Sequence, residues 1–304
     1  MKLLIIGSGG IGGFYAAMLH HSGADVTLAA RSDFATLRSN DLICYSPLGT
    51  FSFPSKNVIS LGTTTHPNFD MIILTTKVLP TIDYKALISP YLSPKTTLAC
   101  IQNGIDIETT YQNLFPHTPL ISGVAFICVH RTSPGIIEHL DHGNLMFGTY
   151  PNGESADCIQ LTNLFNTSLI TAKSTSNIQK IRWKKLIWNI AFNGLSVATG
   201  GASTQEILQD PHHRKQAENL MHEVLNIAKE AGQIFKPTLI EETLKMTEKI
   251  PPYKTSMLLD FENNRPMEIE AIFGNAIQLA KRYQVATPFI NKLYSTLVKI
   301  EYRP

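Results

Sequence analysis

The sequence predicts an α/β domain followed by an all-helical one, and three observations carry that prediction. From residue 1 to about residue 166, short apolar runs alternate with turn residues. Within that stretch a glycine cluster stands between the first apolar run and a helical pattern. From about residue 177 the apolar residues recur at helical spacing, with proline- and glycine-rich loops between them. The change of texture near residues 167–177 divides the chain into an N-terminal domain over 1–170 and a C-terminal domain over 171–304. A chain of 304 residues is long enough to give each a core of its own.

The first apolar runs are "KLLII" (Lys2–Ile6), "DVTLAA" (Asp25–Ala30), "MIILTT" (71–76) and "TLACIQ" (97–102). Each is too short for a stable helix and lacks the alternation of a half-exposed strand. That combination fits strands of a parallel sheet covered on both faces. Between the first two lies "GGFYAAMLHHSG", a helical stretch closed by Gly23, so the chain opens strand, helix, strand. Further strands are expected in "LISGVAFICVH", "GIIEHL" and "NLMFGTY", separated by turns at "RTSPG" and "DHG". Three later segments read as helices: "IQKIRWKKLIWNIAFNGLSVAT", "PHHRKQAENLMHEVLNIAKEAG" and "PMEIEAIFGNAIQLAKRYQV".

Composition narrows the function. Net charge is only +2 and acids and bases are mixed, so no basic groove for nucleic acid is expected. No apolar run reaches the roughly eighteen residues that a membrane helix needs. The four cysteines, Cys44, Cys100, Cys128 and Cys158, lie far apart and read as free thiols in a reducing compartment. A cytoplasmic protein without a membrane partner is expected. The histidine pairs at 20–21 and 212–213 are adjacent in sequence and diverge on a helix, so no metal site is predicted. Trp183 and Trp188 read as core packing.

The glycine cluster "GSGGIG" spans Gly7, Ser8, Gly9, Gly10, Ile11 and Gly12 in G-x-G-x-x-G spacing. After a strand and before a helix, this spacing predicts a Rossmann-type dinucleotide-binding domain. Gly7 makes the tight turn, Gly9 lets the backbone approach a pyrophosphate, and Gly12 lets helix and sheet pack closely. The phosphates meet the positive end of the helix dipole. The second strand should end in an acid if the cofactor carries a free ribose hydroxyl. Here Ala30 and Arg31 stand there instead, and Asp33 comes two residues late. A guanidinium binds a phosphate by two parallel bonds, so NADPH is predicted over NADH.

In the second domain, Lys185, Asn189 and Asn193 recur every fourth residue, each step turning the helix by only about 40°. They project from one side of a helix that is apolar almost all round, and buried amides need partners. A ligand is one source of partners and neighbouring backbone the other. An ammonium can polarise and protonate a carbonyl oxygen as hydride reaches the carbon, which makes Lys185 the candidate general acid and Lys184 its solvent-facing neighbour. Ser256 offers a hydroxyl, and Glu268 opens a helix just after Pro266, where an acid is also favourable for the helix alone.

These segments resemble the ketopantoate reductase (2-dehydropantoate 2-reductase) family essentially end to end. The resemblance rests on "GSGGIG", "TTKV" (75–78), "QNG" (102–104), "PGIIEH" (134–139), "WKKLIWNIAFN" and "SMLLDFENNRPMEIEAIFGNAIQLAKRYQVATP". It implies NADPH-dependent reduction of 2-dehydropantoate to D-pantoate, a step toward pantothenate and coenzyme A. By the same resemblance Lys185 matches the proton donor. Asn103, Asn189, Asn193 and Ser256 match substrate-binding residues. Arg31 matches the contact to the adenosine phosphate. Lys77 and Asn103 match residues of the cofactor domain that line the site, and Glu268 matches a glutamate that meets the substrate hydroxyl and the nicotinamide side. The expected partner is a small 2-oxo acid, with the protein a monomer or homodimer.

One departure stands out. Where some family members carry a further substrate-contacting asparagine, this chain reads "TGGAST", with Ser203 and Thr204. Either hydroxyl could replace the amide, or the pocket could take a different 2-oxo acid. A noncatalytic NADPH-sensing protein of the same fold is a third possibility, which the intact Lys, Asn, Asn, Ser and Glu set argues against.

Overall fold

A computed structural model describes residues 1–63 and 68–302. The backbone divides into two compact units. One comprises Met1–Lys77, Thr81–Gln102 and Glu108–Ile178; the other comprises Val78–Pro80, Asn103–Ile107 and the chain from Gln179 onward. The sheet-bearing unit therefore runs to Ile178, past the expected 170, because a last short strand returns to the sheet after that point.

The strands are β1 (Lys2–Ile6), β2 (Asp25–Ala30), β3 (Leu42–Ser46), β4 (Gly49–Phe53) and β5 (Val58–Ser60), then β6 (Met71–Leu74), β7 (Thr97–Ile101), β8 (Leu120–Ser133), β9 (Ile136–Thr149) and β10 (Ala172–Ser174). They form one sheet in the order β4-β3-β9-β8-β7-β6-β1-β2-β5, with β10 beside β9. The run from β8 through β5 is parallel, and β1, β6 and β7 are buried along nearly their whole length. That burial on both faces is why their sequences show no alternation. The helices of this unit are α1 (Gly10–His21), α2 (Phe34–Ser39), α3 (Tyr84–Ile88), α4 (Ile107–Leu114) and α5 (Ala156–Asn166). Phe14, Tyr15, Met18 and Leu19 of α1 join Leu3, Ile5, Val26 and Leu28 of the sheet in one core.

Several details differ from the sequence reading, among them the added short strands β5 and β10. "GIIEHL" and "NLMFGTY" are a single strand, β9, which pairs antiparallel with β8 over their length. The expected "DHG" turn is absorbed as an irregularity in that strand, with His142 and Gly143 at positive φ. The β3–β4 hairpin is an addition to the expected strands. It extends the sheet beyond β9, with β3 parallel to it.

The second unit holds α6 (Ile178–Ala198), α7 (Thr204–Gln209), α8 (Pro211–Glu230), α9 (Leu239–Lys249), α10 (Ser256–Glu262), α11 (Asn275–Arg282) and α12 (Pro288–Glu301). A π-helical turn at Glu270–Gly274 leads into α11. Helix α8 starts where Asp210 caps it and Pro211 fills the first position, whose amide would be unpaired anyway. Helix α6 is buried almost all round through Leu186, Ile187, Ile190, Ala191, Phe192 and Leu195, and it forms the spine of this core. Trp183 is buried there too, and Trp188 stacks on Phe192 while its Nε1 donates to Thr247.

No helix among the described residues is long and apolar enough to cross a membrane. None of the four cysteines is in a disulfide, and burial pushes the Cys44 and Cys158 thiols up to about 11.

Candidate active site

The glycine loop of the first unit has the shape its sequence predicts. Gly7 follows β1 at φ +116, and its amide donates to the Ala29 carbonyl at 3.1 Å. A Cβ on Gly12 would overlap the Gly7 carbonyl oxygen and the Thr75 hydroxyl. Thr75 in turn donates to the carbonyls of Ile6 and Gly7 at 3.0 and 3.1 Å, which fixes the turn from below. A Cβ on Gly9 would meet nothing within 4 Å. Gly9 is also the N-cap of α1, and no side chain caps the helix there. Open space over an uncapped helix N-terminus fits the pyrophosphate of a dinucleotide. Ser8 is buried beside Gly9, and Ile11 and Gly10 are partly exposed in the first turn.

Arg31 leaves the end of β2 exposed, and its guanidinium makes no ion pair with a described residue. A cation held out at that point fits a ribose phosphate. Lys77, half-buried, ends the segment after β6, and its carbonyl accepts from the Tyr84 hydroxyl at 2.9 Å. Beside it, Gln102 donates to the Thr76 carbonyl at 2.6 Å and accepts from Tyr111 at 2.6 Å.

The helical unit assembles the other candidates. Its segment Asn103–Ile107 is held from several directions. Ile105 buries its side chain in the helical core, its amide donates to the Ala271 carbonyl at 3.0 Å, and its carbonyl accepts from Asn275 at 2.8 Å. Arg182, itself buried, donates to the Gly104 carbonyl at 3.2 Å. Gly104 permits this: φ is +108, and a Cβ would stand 2.6 Å from the Ala271 oxygen.

So held, Asn103 joins Lys185 to Glu268. Lys185 Nζ donates to Asn103 Oδ1 at 2.8 Å, and Asn103 Nδ2 donates to Glu268 Oε2 at 3.3 Å. The amide orientation follows from its neighbours, since an ammonium only donates and a carboxylate only accepts. The other oxygen, Glu268 Oε1, accepts from the Val78 amide at 2.9 Å. Glu268 also starts the helical turn that its place after Pro266 predicts, its carbonyl accepting from Ile272. Lys185 is half-buried whereas Lys184 is exposed.

The asparagine stripe continues along α6. Asn189 is buried, and Asn193 is 1% exposed with an Oδ1 that finds no partner among the described residues. An orphaned buried acceptor is costly unless a ligand or a water donates to it. One turn on, Ser196 donates to the Asn193 carbonyl at 3.1 Å and pairs with Thr255 at 2.7 Å. Thr255 caps α10, so Ser256, at the first position of that helix, is exposed next to this anchor.

Ser203 and Thr204 are both committed locally. Ser203 forms a capping box with Glu206 at the start of α7, and Thr204 is fully buried and donates to Gln205. Among the described residues no three His, Cys, Asp or Glu side chains are grouped to hold a metal ion.

Comparison with known proteins identifies the lineage. The family model described as ketopantoate reductase PanE/ApbA matches residues 3–152, and the model of its C-terminal part matches 177–301. The chain belongs to the ketopantoate reductase family. A 2-dehydropantoate 2-reductase of Nostoc sp. is 33% identical over 99% of this chain and 96% of its own. The crystal structure of 2-dehydropantoate 2-reductase from Methylococcus capsulatus is 37% identical, with a TM-score of 0.91 over 99% of this chain and 97% of its own. D-mandelate dehydrogenase, solved with NADH and anilino(oxo)acetate, shares the fold at 22% identity and a TM-score of 0.87, over 99% of this chain and 98% of its own. The ketopantoate reductase fold, with its Rossmann-like N-terminal and helical C-terminal domains, accounts for both units.

Sequence reading missed the anchoring roles of several residues in each unit. Thr75, Arg182, Ser196, Thr255 and Asn275 act through backbone carbonyls or buried hydroxyls. Such bonds depend on tertiary neighbours, and neither spacing nor residue type announces them.

Proposed function

We propose that the protein is an NADPH-dependent reductase that converts 2-dehydropantoate to D-pantoate in pantothenate and coenzyme A synthesis. The observation that carries this reading is the Lys185–Asn103–Glu268 chain of hydrogen bonds, whose lysine stands on the helix that also presents Asn189 and Asn193. NADPH, when bound, supplies the hydride.

The glycine loop holds the pyrophosphate through Gly9, Gly10 and the following amides of α1, while Arg31 takes the ribose phosphate. Lys77 of the sheet-bearing unit is assigned to the nicotinamide end of the cofactor, and in the helical unit Asn103 and Glu268 are assigned to the nicotinamide as well. Lys185 keeps a proton on Nζ, oriented by the Asn103 oxygen, and hands it to the substrate oxygen as charge develops there. Glu268, clamped by the Val78 amide, balances the ammonium through Asn103 and accepts from the substrate hydroxyl. Asn193 offers its unpartnered oxygen to a substrate hydroxyl, Asn189 adds a second amide, and Ser256 donates to the carboxylate end.

A related 2-oxo acid is the second reading of the substrate. The observation favouring it is that Ser203 and Thr204, where some relatives place an asparagine, are engaged in capping and in Gln205. The test is NADPH oxidation by the purified protein with 2-dehydropantoate and a panel of branched 2-oxo acids. The first reading expects 2-dehydropantoate to give the highest kcat/KM, the second another member of the panel. Absence of turnover with every 2-oxo acid would defeat both.

A further inference from the structure

Asp33 sets an electrostatic problem for the cofactor site. It lies two residues beyond Arg31, and a carboxylate there acts against any phosphate that Arg31 binds. It is nonetheless only 2% exposed. Its oxygens accept from Ser8 at 3.4 Å and from Ser32 at 3.1 Å, and Oδ2 is ion-paired with Nη1 of Arg131.

Arg131 comes from a distant part of the sheet unit, the outer half of β8. The β8–β9 register shifts between Arg131 and Ser133, the kind of irregularity that re-aims a side chain. The same arm lies along the glycine loop: a Cβ on Gly10 would stand 3.1 Å from both the Val129 carbonyl and the His130 Cα. Asp33 thus ties together the glycine loop through Ser8, the end of β2 through Ser32, and the β8 arm through Arg131.

We propose that Arg131 is a cofactor-specificity residue that acts through Asp33. It cancels the carboxylate's charge, so that the positive charge of Arg31 is left undiminished for a phosphate-bearing dinucleotide. This rests on the NADPH reading for its direction, since only a cofactor with the extra phosphate feels the difference strongly. Removing the partly exposed Arg131 leaves the buried Asp33 carboxylate without its counter-ion, two residues from Arg31.

The test is fluorescence titration of NADPH and NADH into the whole protein as wild type, Arg131→Met, Asp33→Asn and the double variant Asp33→Asn/Arg131→Met. Arg131→Met is expected to lower the NADPH:NADH affinity ratio by about tenfold, the effect of one charge near the phosphate. Asp33→Asn, which keeps shape and removes the acid, is expected to raise the ratio, and the double variant to return it to about the wild-type value. If Arg131→Met does not fold, the direction of the Asp33→Asn change decides. Equal weakening of both cofactors in Arg131→Met, or an unchanged or lower ratio in Asp33→Asn, would overturn the proposal and leave the pair a scaffold only. A wild-type ratio near one would instead overturn the NADPH reading, and the changes between variants would still judge Arg131.

Discussion

The Lys185 ammonium and the Glu268 carboxylate are joined through one side chain: Asn103 accepts from the first at 2.8 Å and donates to the second at 3.3 Å. A single carboxamide therefore orients the proposed acid and links it to the carboxylate that balances its charge. Replacing Asn103 by Ala removes both bonds while leaving both charges. Hydrogen bonds to charged groups contribute about 1.5–3 kcal/mol, so kcat should fall about 10- to 100-fold. Steady-state assays at saturating NADPH would read this, and a kcat unchanged in Asn103→Ala would remove Asn103 from the relay.

Gly104 is the structural condition for that arrangement. Its φ is +108, and a Cβ there would stand 2.6 Å from the Ala271 oxygen, which leaves no room for alanine. Gly104→Ala should destabilise the protein by about 1–3 kcal/mol, read as a lower urea midpoint with an unchanged slope.

Glu223 gives a pH dependence of stability. Its carboxylate accepts from the Phe289 and Ile290 amides at 2.9 and 2.8 Å, which lowers its pKa, but burial outweighs them and holds it above the ordinary glutamate value. The folded protein then keeps this proton to higher pH than the unfolded chain does. Stability from this residue is greatest below the unfolded value and declines as pH rises through the folded one. Calorimetry from pH 4 upward should show that part of the decline missing in Glu223→Gln.

On the proposed reading, Arg31 should separate the two nicotinamide cofactors. Without its guanidinium, NADPH should bind about 10- to 100-fold more weakly, whereas NADH should change by less than about threefold. Titration of Arg31→Ala with each cofactor checks this, and equal losses for both would assign Arg31 a role other than phosphate recognition.

Much of this molecule is readable from its sequence, for identifiable reasons. Strands β1 and β2 match their predicted limits because short, mostly apolar runs without alternation report burial on both faces. The glycine loop is readable because Gly7 and Gly12 answer steric demands that only glycine meets. The stripe of Lys185, Asn189 and Asn193 follows from helical spacing alone. The β3–β4 hairpin does not, because its short strands are partly exposed and mix apolar with polar residues. Nor does the continuity of β9, since His142 and Gly143 read as a turn until β8 is seen pairing across them. Asp33 looks like a misplaced acid in the sequence, and its meaning depends on Arg131, 98 residues away.

The most direct test of the account is the turnover of Lys185→Ala with 2-dehydropantoate, measured beside its affinity for NADPH. Loss of a general acid predicts a kcat lower by about two to four orders of magnitude, with NADPH affinity and thermal stability retained. A variant that turns over within a few-fold of the wild type would contradict the assignment of Lys185 as the proton donor.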